Sequence, residues 1–434
     1  MRIRNWGILG ACVIVGTAVL PVLADAEEAT VIQEIVVTAQ KRAESAQDIG
    51  ISITAFSGAQ LADKGVSTAE DLAMFTPGLM VNETAATGVP VYTLRGVGFQ
   101  DYSTGASSTV GLYFDEVAMP YTVMSRGAIF DVQRVEVLKG PQGDLYGRNT
   151  TAGQINYISN MPTKDFQADV KLGYSSFQTV DGSGFVSGPL TDALRARFAF
   201  TTTQSSEGWQ RSLTRDDRLG KKNVIAVRGM LDGALGPVNA LLRVQYIKDK
   251  SDNRANTDYD GRIIGLPEFF APYKGLLPYV ISGATPPWFS TGDNRVGDWT
   301  NSYTDPRGVT YNLRPRRDND LSSVSLKLNW ALSDSITMTS VTGYDKFKRF
   351  ETNDWDGLAV IDSSNINTSD IKVFSQELRL NGTGEKINWV GGLYYSEGTV
   401  NEFYNSFMAD SLYGNGAIEF GIKPFQATPI YQLH

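Results

Sequence analysis

The nearest approach to catalytic apparatus in this chain is the pair Asp115 and Glu116 in "YFDEV". Adjacent residues in a strand point to opposite faces, so two neighbouring carboxylates there suit salt bridging better than shared acid/base work. The chain has one cysteine, Cys12, and one histidine, His434. That composition rules out an internal disulfide and a Cys/His zinc constellation. It also removes the base on which most hydrolytic triads and dyads depend. "GPQGDLYGRNT" has the glycines of a phosphate loop, but no lysine follows Gly147, which makes it a structural turn. "RGVGFQD" lacks the third glycine of a dinucleotide fingerprint and opens no helical pattern. No enzyme activity, no cofactor and no protein-held metal are expected.

Binding chemistry is better represented. "GFQDYSTG" offers Gln100, Asp101 and Tyr102, and "MPYTVMSRG" offers Tyr121 and Arg126. Between Ser251 and Asp318 lie Tyr259, Trp288 and Trp299. Such polar and aromatic loop residues either meet a ligand or stabilise the loops that carry them. A second kind of binding is suggested by "QEIVVTAQKR", Gln33 to Arg42, a short β-prone segment between the polar stretches "DAEEAT" and "AESAQD". An extended segment on a polar tether can add as a strand to a partner, with Ile35 and Val37 on one face. The same run could equally be the first strand of the domain that follows.

The elements that must position these groups fall into three zones. Residues 1–26, "MRIRNWGILGACVIVGTAVLPVLADA", have two arginines, the uncharged run Ile8 to Leu20, and small residues ending in Ala24 and Ala26. This reads as an export signal, because the run falls short of the ~20 residues a spanning helix needs. Cys12 in "LGAC" lies too early in the apolar run for a lipidation site. A mixed zone, 47–162, follows. "ISITAF" alternates like a strand, and "GAQLADKG" is a short helix closed by Gly65. "STAEDLAMFTPG" carries a capping box with Ser67 at the cap and Glu70 three residues on. "VPVYTLRGV", "TVGLYFDEV", "VQRVEVLKG" and "AGQINYIS" read as strands, giving a small α+β domain.

From Phe166 onward, runs of residues alternate with period two. Ala196, Phe198 and Phe200 share a face against Arg195 and Arg197; Val238, Ala240, Leu242, Val244 and Tyr246 oppose Asn239, Arg243 and Gln245; Leu326, Leu328, Trp330 and Leu332 oppose Ser325, Lys327 and Asn329. A soluble sandwich also alternates, so the connections decide. "PLTD", "GALGP", "LSDS" and "NGTGE" are tight, whereas Ser206 to Lys222, Ser251 to Asp318 and Glu351 to Asp370 are long. Short turns at one end and long loops at the other, with aromatics near strand ends, describe a transmembrane antiparallel β-barrel. Such a sheet must close, because lipid leaves an open edge unpaired. About nine strands occur by Tyr404, whereas a barrel wide enough to hold the preceding domain needs roughly 22. The sequence is therefore expected to cover the first part of a barrel and to stop inside an extracellular loop. The formal charge of −8 disfavours nucleic acid as a partner.

Taken together, "EIVVTAQKR", "DLAMFTPGL", "YTLRGVG", "VEVLKGPQGDLYGRNTTAGQINYIS" and the alternating strands resemble a TonB-dependent outer-membrane receptor. Asp144 and Gln154 depart from the usual family wording. The resemblance implies a periplasmic tether at 27–46 with a TonB box at Glu34, Ile35, Val36, Val37, Thr38 and Ala39. It implies a plug domain at 47–162 and the N-terminal part of the barrel at 163–434. Arg95 and Arg148 match plug arginines that lock onto barrel carboxylates in the family, and Glu377 of "SQELRL" could serve as such a carboxylate. The implied partners are the TonB periplasmic domain with its inner-membrane energising proteins, outer-membrane lipid, and a scarce bulky solute, most often a ferric siderophore. A passive porin and a soluble, exported β-rich binding module are the alternatives. The domain ahead of the barrel speaks against the porin, and solubility without detergent would identify the module.

Overall fold

A computed structural model describes residues 36–38, 41, 42, 44, 45, 47, 49–84, 88–101, 103–127, 129–256, 295–304, 307–355, 357, 363–408 and 431–433. The expected export signal, Glu34, Ile35, Ala39, Tyr102, Tyr259, Trp288 and His434 lie outside them. The first described elements are two short antiparallel strands, β1 (Val36–Val37) and β2 (Glu44–Ser45). They are followed by β3 (Ser52–Ser57), α1 (Gly58–Asp63) and α2 (Ala69–Phe75). Ser57 caps α1 in a reciprocal box with Gln60. Helix α2 starts one residue later than its sequence pattern suggests. Thr68 is the cap and Asp71 returns the bond, while the Ser67 N–H donates to the same Asp71 carboxylate at 3.0 Å. The shorter Asp71 reaches back where Glu70 was expected to, and accepts from the N–H groups of Ser67 and Thr68.

Next come β4 (Leu79–Glu83), β5 (Pro90–Leu94), β6 (Val97–Gly98), β7 (Val110–Phe114), β8 (Val117–Ala118), β9 (Val132–Lys139), α3 (Gly143–Tyr146) and β10 (Gly153–Ser159). Five strands form one sheet in the order β3-β9-β10-β7-β8, with only β10 and β7 parallel; β4, β5 and β6 form a second. Asp115 and Glu116 are the two corner residues between β7 and β8, at φ 47° and 71°. They are not strand residues on opposite faces, as their pattern suggests. At this left-handed corner the Asp115 carboxylate accepts from the N–H and hydroxyl of Ser159 at the end of β10, at 2.8 and 2.7 Å.

Nine long strands follow: β11 (Gln167–Ser175), β12 (Thr179–Thr191), β13 (Leu194–Ser205), β14 (Asn223–Leu235), β15 (Val238–Asp249), β16 (Asn319–Ser333), β17 (Ile336–Asp354), β18 (Ser363–Gly382) and β19 (Trp389–Met408). Each pairs antiparallel with the next along one continuous sheet, with Arg316–Arg317 and Tyr431–Leu433 as short additions. This is the strand run of an antiparallel transmembrane barrel, and among the described residues its two ends do not meet.

The polarity of this sheet is inverted relative to a soluble protein. Val244 and Leu326 are 46% and 37% exposed, whereas their neighbours Arg243, Gln245 and Ser325 are buried. Fully burying one such aliphatic side chain is worth about 1.5–3 kcal/mol, so a whole exposed face of them requires lipid rather than water. Trp330 and Trp389 sit near the tight turns and Tyr246 and Phe403 nearer the long-loop end, all partly exposed. The polar face packs on the plug. Leu94, Phe114, Val123, Val135 and Tyr157 of the plug share one core with Ala199, Ala226, Ile247, Leu321, Phe347 and Ile371 of the barrel wall. At one point the approach is so close that only glycine fits. A Cβ on Gly343 of β17 would sit 2.5 Å from a methyl of Val117 in β8.

Candidate functional site

The described part of the segment resembling a TonB box, Val36 to Thr38, lies docked on the plug at the end nearest the tight barrel turns. Val36 pairs with Ser45 and Val37 with Glu44, and the chain reverses through Lys41 at φ 61°. Val37 is fully buried among Leu138, Ile49, Ile53 and Ala55, while Val36 stays half exposed. The Thr38 N–H donates to Glu136 Oε1 at 2.8 Å, and the Tyr146 hydroxyl donates to the Thr38 carbonyl at 3.3 Å. Glu136 is itself buried and paired with Arg134 at 2.8 Å. Lys41 completes the dock. Its Nζ lies 3.0 Å from Glu377 on β18 and 4.4 Å from the centre of the Tyr146 ring, and its carbonyl accepts from Asn381 at 3.3 Å. Burial pushes the Lys41 ammonium below its ordinary pKa, against the pull of Glu377 and Glu116. The docked strand thus joins the plug's own structure, and Lys41 ties it to the barrel wall.

The residues expected to lock plug to barrel are distributed differently. Arg95 is exposed at φ 52° and makes no ion pair among the described residues. Arg148 is exposed at a cavity of about 340 Å³ between plug and wall, beside Tyr113, Tyr146 and Tyr394. Glu377 pairs with Lys41 and, at 2.8 Å, with Arg379. The plug–wall ion pairs instead run mainly from plug carboxylates to barrel cations. Asp131 accepts from Arg197 Nε at 2.8 Å, Asp115 faces Arg243 at 3.6 Å, and Glu116 contacts both Lys327 and Arg379. Arg126, like Lys41, runs the other way. It reaches Glu83 at 2.7 Å within the plug and Glu351 at 3.3 Å on β17, and it contacts the Gly88 carbonyl. Arg126 was expected among the solute contacts, and the structure places it in a lock.

Glu116 is held by three cations. Burial raises its pKa, but Lys327, Arg379 and Lys41 outweigh burial and bring it down to about 2 from an ordinary 4.5. A carboxylate with a depressed folded-state pKa stabilises above its unfolded pKa, and that contribution is lost as pH falls through the folded value. Thermal melting of the intact receptor should therefore decline between about pH 4.5 and 2, and Glu116→Gln should flatten that part of the profile.

At the opposite end of the plug, the apex is tied to the loop-facing half of the wall. The Thr104 N–H donates to both oxygens of Glu402 at 3.1 Å, and its hydroxyl meets Ser369 at 3.0 Å and Arg349 at 2.8 Å. Asp101 caps the Ser103 N–H at 2.8 Å, which shapes this turn. Gln100 borders a polar hollow of about 300 Å³ with Asn82, Glu83 and Thr93. Tyr121 lies over Gly398 of β19, where an added Cβ would be 3.0 Å from its hydroxyl. Trp299 is fully buried with Leu219 and Ala255, and its indole donates to Asp217 at 3.3 Å, so it is the core of the loop structure. Sequence reasoning missed Lys41, Glu136, Asp131 and Thr104. Glu136 alone left a sequence signal, a charge between two valines in a strand; the others acquire partners only through tertiary contact.

Comparison with known proteins matches the model of the TonB-dependent Receptor Plug Domain to residues 45–154. The pesticin receptor of Yersinia pestis is 34% identical over 182 residues, 41% of this chain and 26% of that protein. The catecholate siderophore receptor Fiu of Escherichia coli O157:H7 is 27% identical over 301 residues, 67% of this chain and 36% of that protein. Among solved structures, the ferric yersiniabactin uptake receptor FyuA from Yersinia pestis superposes with a TM-score of 0.65 at 20% identity, covering 82% of this chain and 50% of that one. The chain thus spans a quarter to a half of the lengths of the proteins it matches.

Proposed function

We propose, from the premise that this chain belongs to the TonB-dependent outer-membrane receptors, that it acts in energy-coupled import of a scarce bulky solute, a ferric siderophore. The observation that carries this reading is the two-ended fastening of the plug. Val36 to Thr38 and Lys41 are docked at one end through Glu136 and Glu377, and Thr104 is fastened at the far end to Glu402. Solute settling on the apex competes with the upper fastening, and the periplasmic domain of TonB, adding to the tether as a strand, undoes the lower one. Work delivered from the inner membrane is needed because several buried ion pairs must open together, and mutual attraction inside a plugged barrel does not relax by itself. The partner chemistry is a short extended segment, with lipid on the outward face of the strands. The named solutes of similar proteins, a catecholate siderophore and ferric yersiniabactin, support iron chelates as the class.

Cells carrying the intact receptor as their sole ferric-siderophore route should accumulate radiolabelled ferric siderophores from a chemically mixed panel. Accumulation should stop when TonB is removed or the inner membrane is de-energised, while binding to chilled cells persists. Accumulation that continues without TonB would assign a passive channel instead.

A further inference from the structure

The wall behind the plug carries a belt of base. Arg197, Arg228, Arg243, Lys327 and Arg379 come from five different strands, β13, β14, β15, β16 and β18, and all have side chains turned to the plug. On the same level the wall supplies a mutually paired Arg195 and Asp232 and two further carboxylates, Asp345 and Glu377; Asp345 takes the Ser323 hydroxyl, and Glu377 is shared between Lys41 and Arg379. With the Arg195–Asp232 pair set aside, five cations against two anions leave an excess of three on the wall; Asp115, Glu116 and Asp131 of the plug face it, while Lys41 of the tether sits on Glu377.

Arg228 shows that the excess is built into the wall rather than made by pairing. It is 1% exposed and has no carboxylate partner among the described residues. Its guanidinium donates to Gln245 at 2.8 Å and to the carbonyls of Phe130 and Asp131 at 3.1 and 3.2 Å, and it lies 4.7 and 4.2 Å from the rings of Phe114 and Phe130. One terminal nitrogen finds no acceptor among the described residues. Every one of its contacts except Gln245 belongs to the plug. Nearer the long loops the wall is mixed instead, with Glu351, Glu402 and Asp249 standing beside Arg349 and Arg317. The belt is therefore a discrete level and not a general surplus of base.

We propose that this belt is the anion-conducting wall of the passage that plug displacement uncovers, and that the solute it passes is a metal chelate of net negative charge. The plug carboxylates occupy the belt at rest. When they withdraw, five cations face an opened lumen with low-dielectric walls, and such a surface concentrates anions. The proposal deepens the import reading and rests on it, but it can be tested without TonB or an identified solute.

The intact receptor is placed in a planar lipid bilayer, the plug is melted with urea, and the reversal potential is read in a potassium chloride gradient. Replacing both Arg228 and Arg243 with Gln should move that potential toward cation selectivity. Replacing both with Lys should leave it at the wild-type value. Lys327→Gln, at a less buried position, should move it in the same direction as the Gln pair and decides the matter if that pair does not insert. An unchanged potential in the Gln variants, a Lys pair that shifts as far as the Gln pair, or a wild-type receptor that conducts nothing once the plug has melted would each overturn the belt. TonB-independent uptake in cells would sink the import reading and leave the bilayer result untouched.

Discussion

Deletion of Glu34 to Ala39 from the intact receptor is expected to abolish energised uptake of ferric siderophore and to leave its surface binding unchanged. The segment contributes Val37 to a small satellite core with Leu138, and Thr38 to a bond with Glu136. Neither touches the apex, where Thr104 meets Glu402 on the far side of the shared core. On this reading binding and coupling lie at opposite ends of one domain. Lys41 is retained in the deletion, so its pair with Glu377 can still hold the tether to the wall. Uptake and binding measured on the same cells check this, and uptake that survives the deletion would falsify the coupling role of the segment.

Arg126→Ala is expected to unseat the plug rather than to weaken solute binding. The guanidinium is shared by Glu83 and Glu351, and the Glu351 side chain is fully buried. Removing one partner of a buried ion pair costs about 3–5 kcal/mol, because the other charge is left in a poor dielectric. Glu351 keeps Arg349 and Asn319, so the loss should fall toward the lower end of that range. The receptor should melt earlier and admit small antibiotics that the wild type excludes, while affinity for ferric siderophore stays within a few-fold. A large loss of affinity with an unchanged melting temperature would return Arg126 to the solute contacts.

The strands were legible in the sequence because lipid on one side and a polar plug on the other impose a strict period of two. Phe198 is exposed and Arg197 buried, as their alternation requires, and the nine long strands fall where the runs of that pattern lie. The plug strands were legible for the ordinary reason that buried β-branched residues cluster between turn signals, as in "VQRVEVLKG". Which charge meets which was not legible. Asp131 and Arg197 are 66 positions apart, and Lys41 and Glu377 are 336 apart. Local pattern says nothing about such pairs, and a carboxylate at a strand corner looks like any solvated turn. The family wording pointed to plug arginines, yet Arg95 is exposed, and three of the plug's lock residues, Asp115, Glu116 and Asp131, have positive φ. Single residues in the left-handed region leave little trace in sequence unless they are glycine.

The order of strands in the plug sheet has a mechanical consequence. β3 follows the tether and lies at the edge of the sheet, paired to β9 alone from Ser52 opposite Lys139 to Ser57 opposite Arg134. A load drawn through the tether reaches Ser52 first, so the rungs of that ladder are peeled singly instead of being sheared all at once. Little force is needed to strip such an edge. Beyond Ser57 the load must pass α1, α2 and β4 to β6 before it returns to the sheet at β7, which is held between β10 and β8, and this makes a plug stripped of β3 alone a natural stopping point.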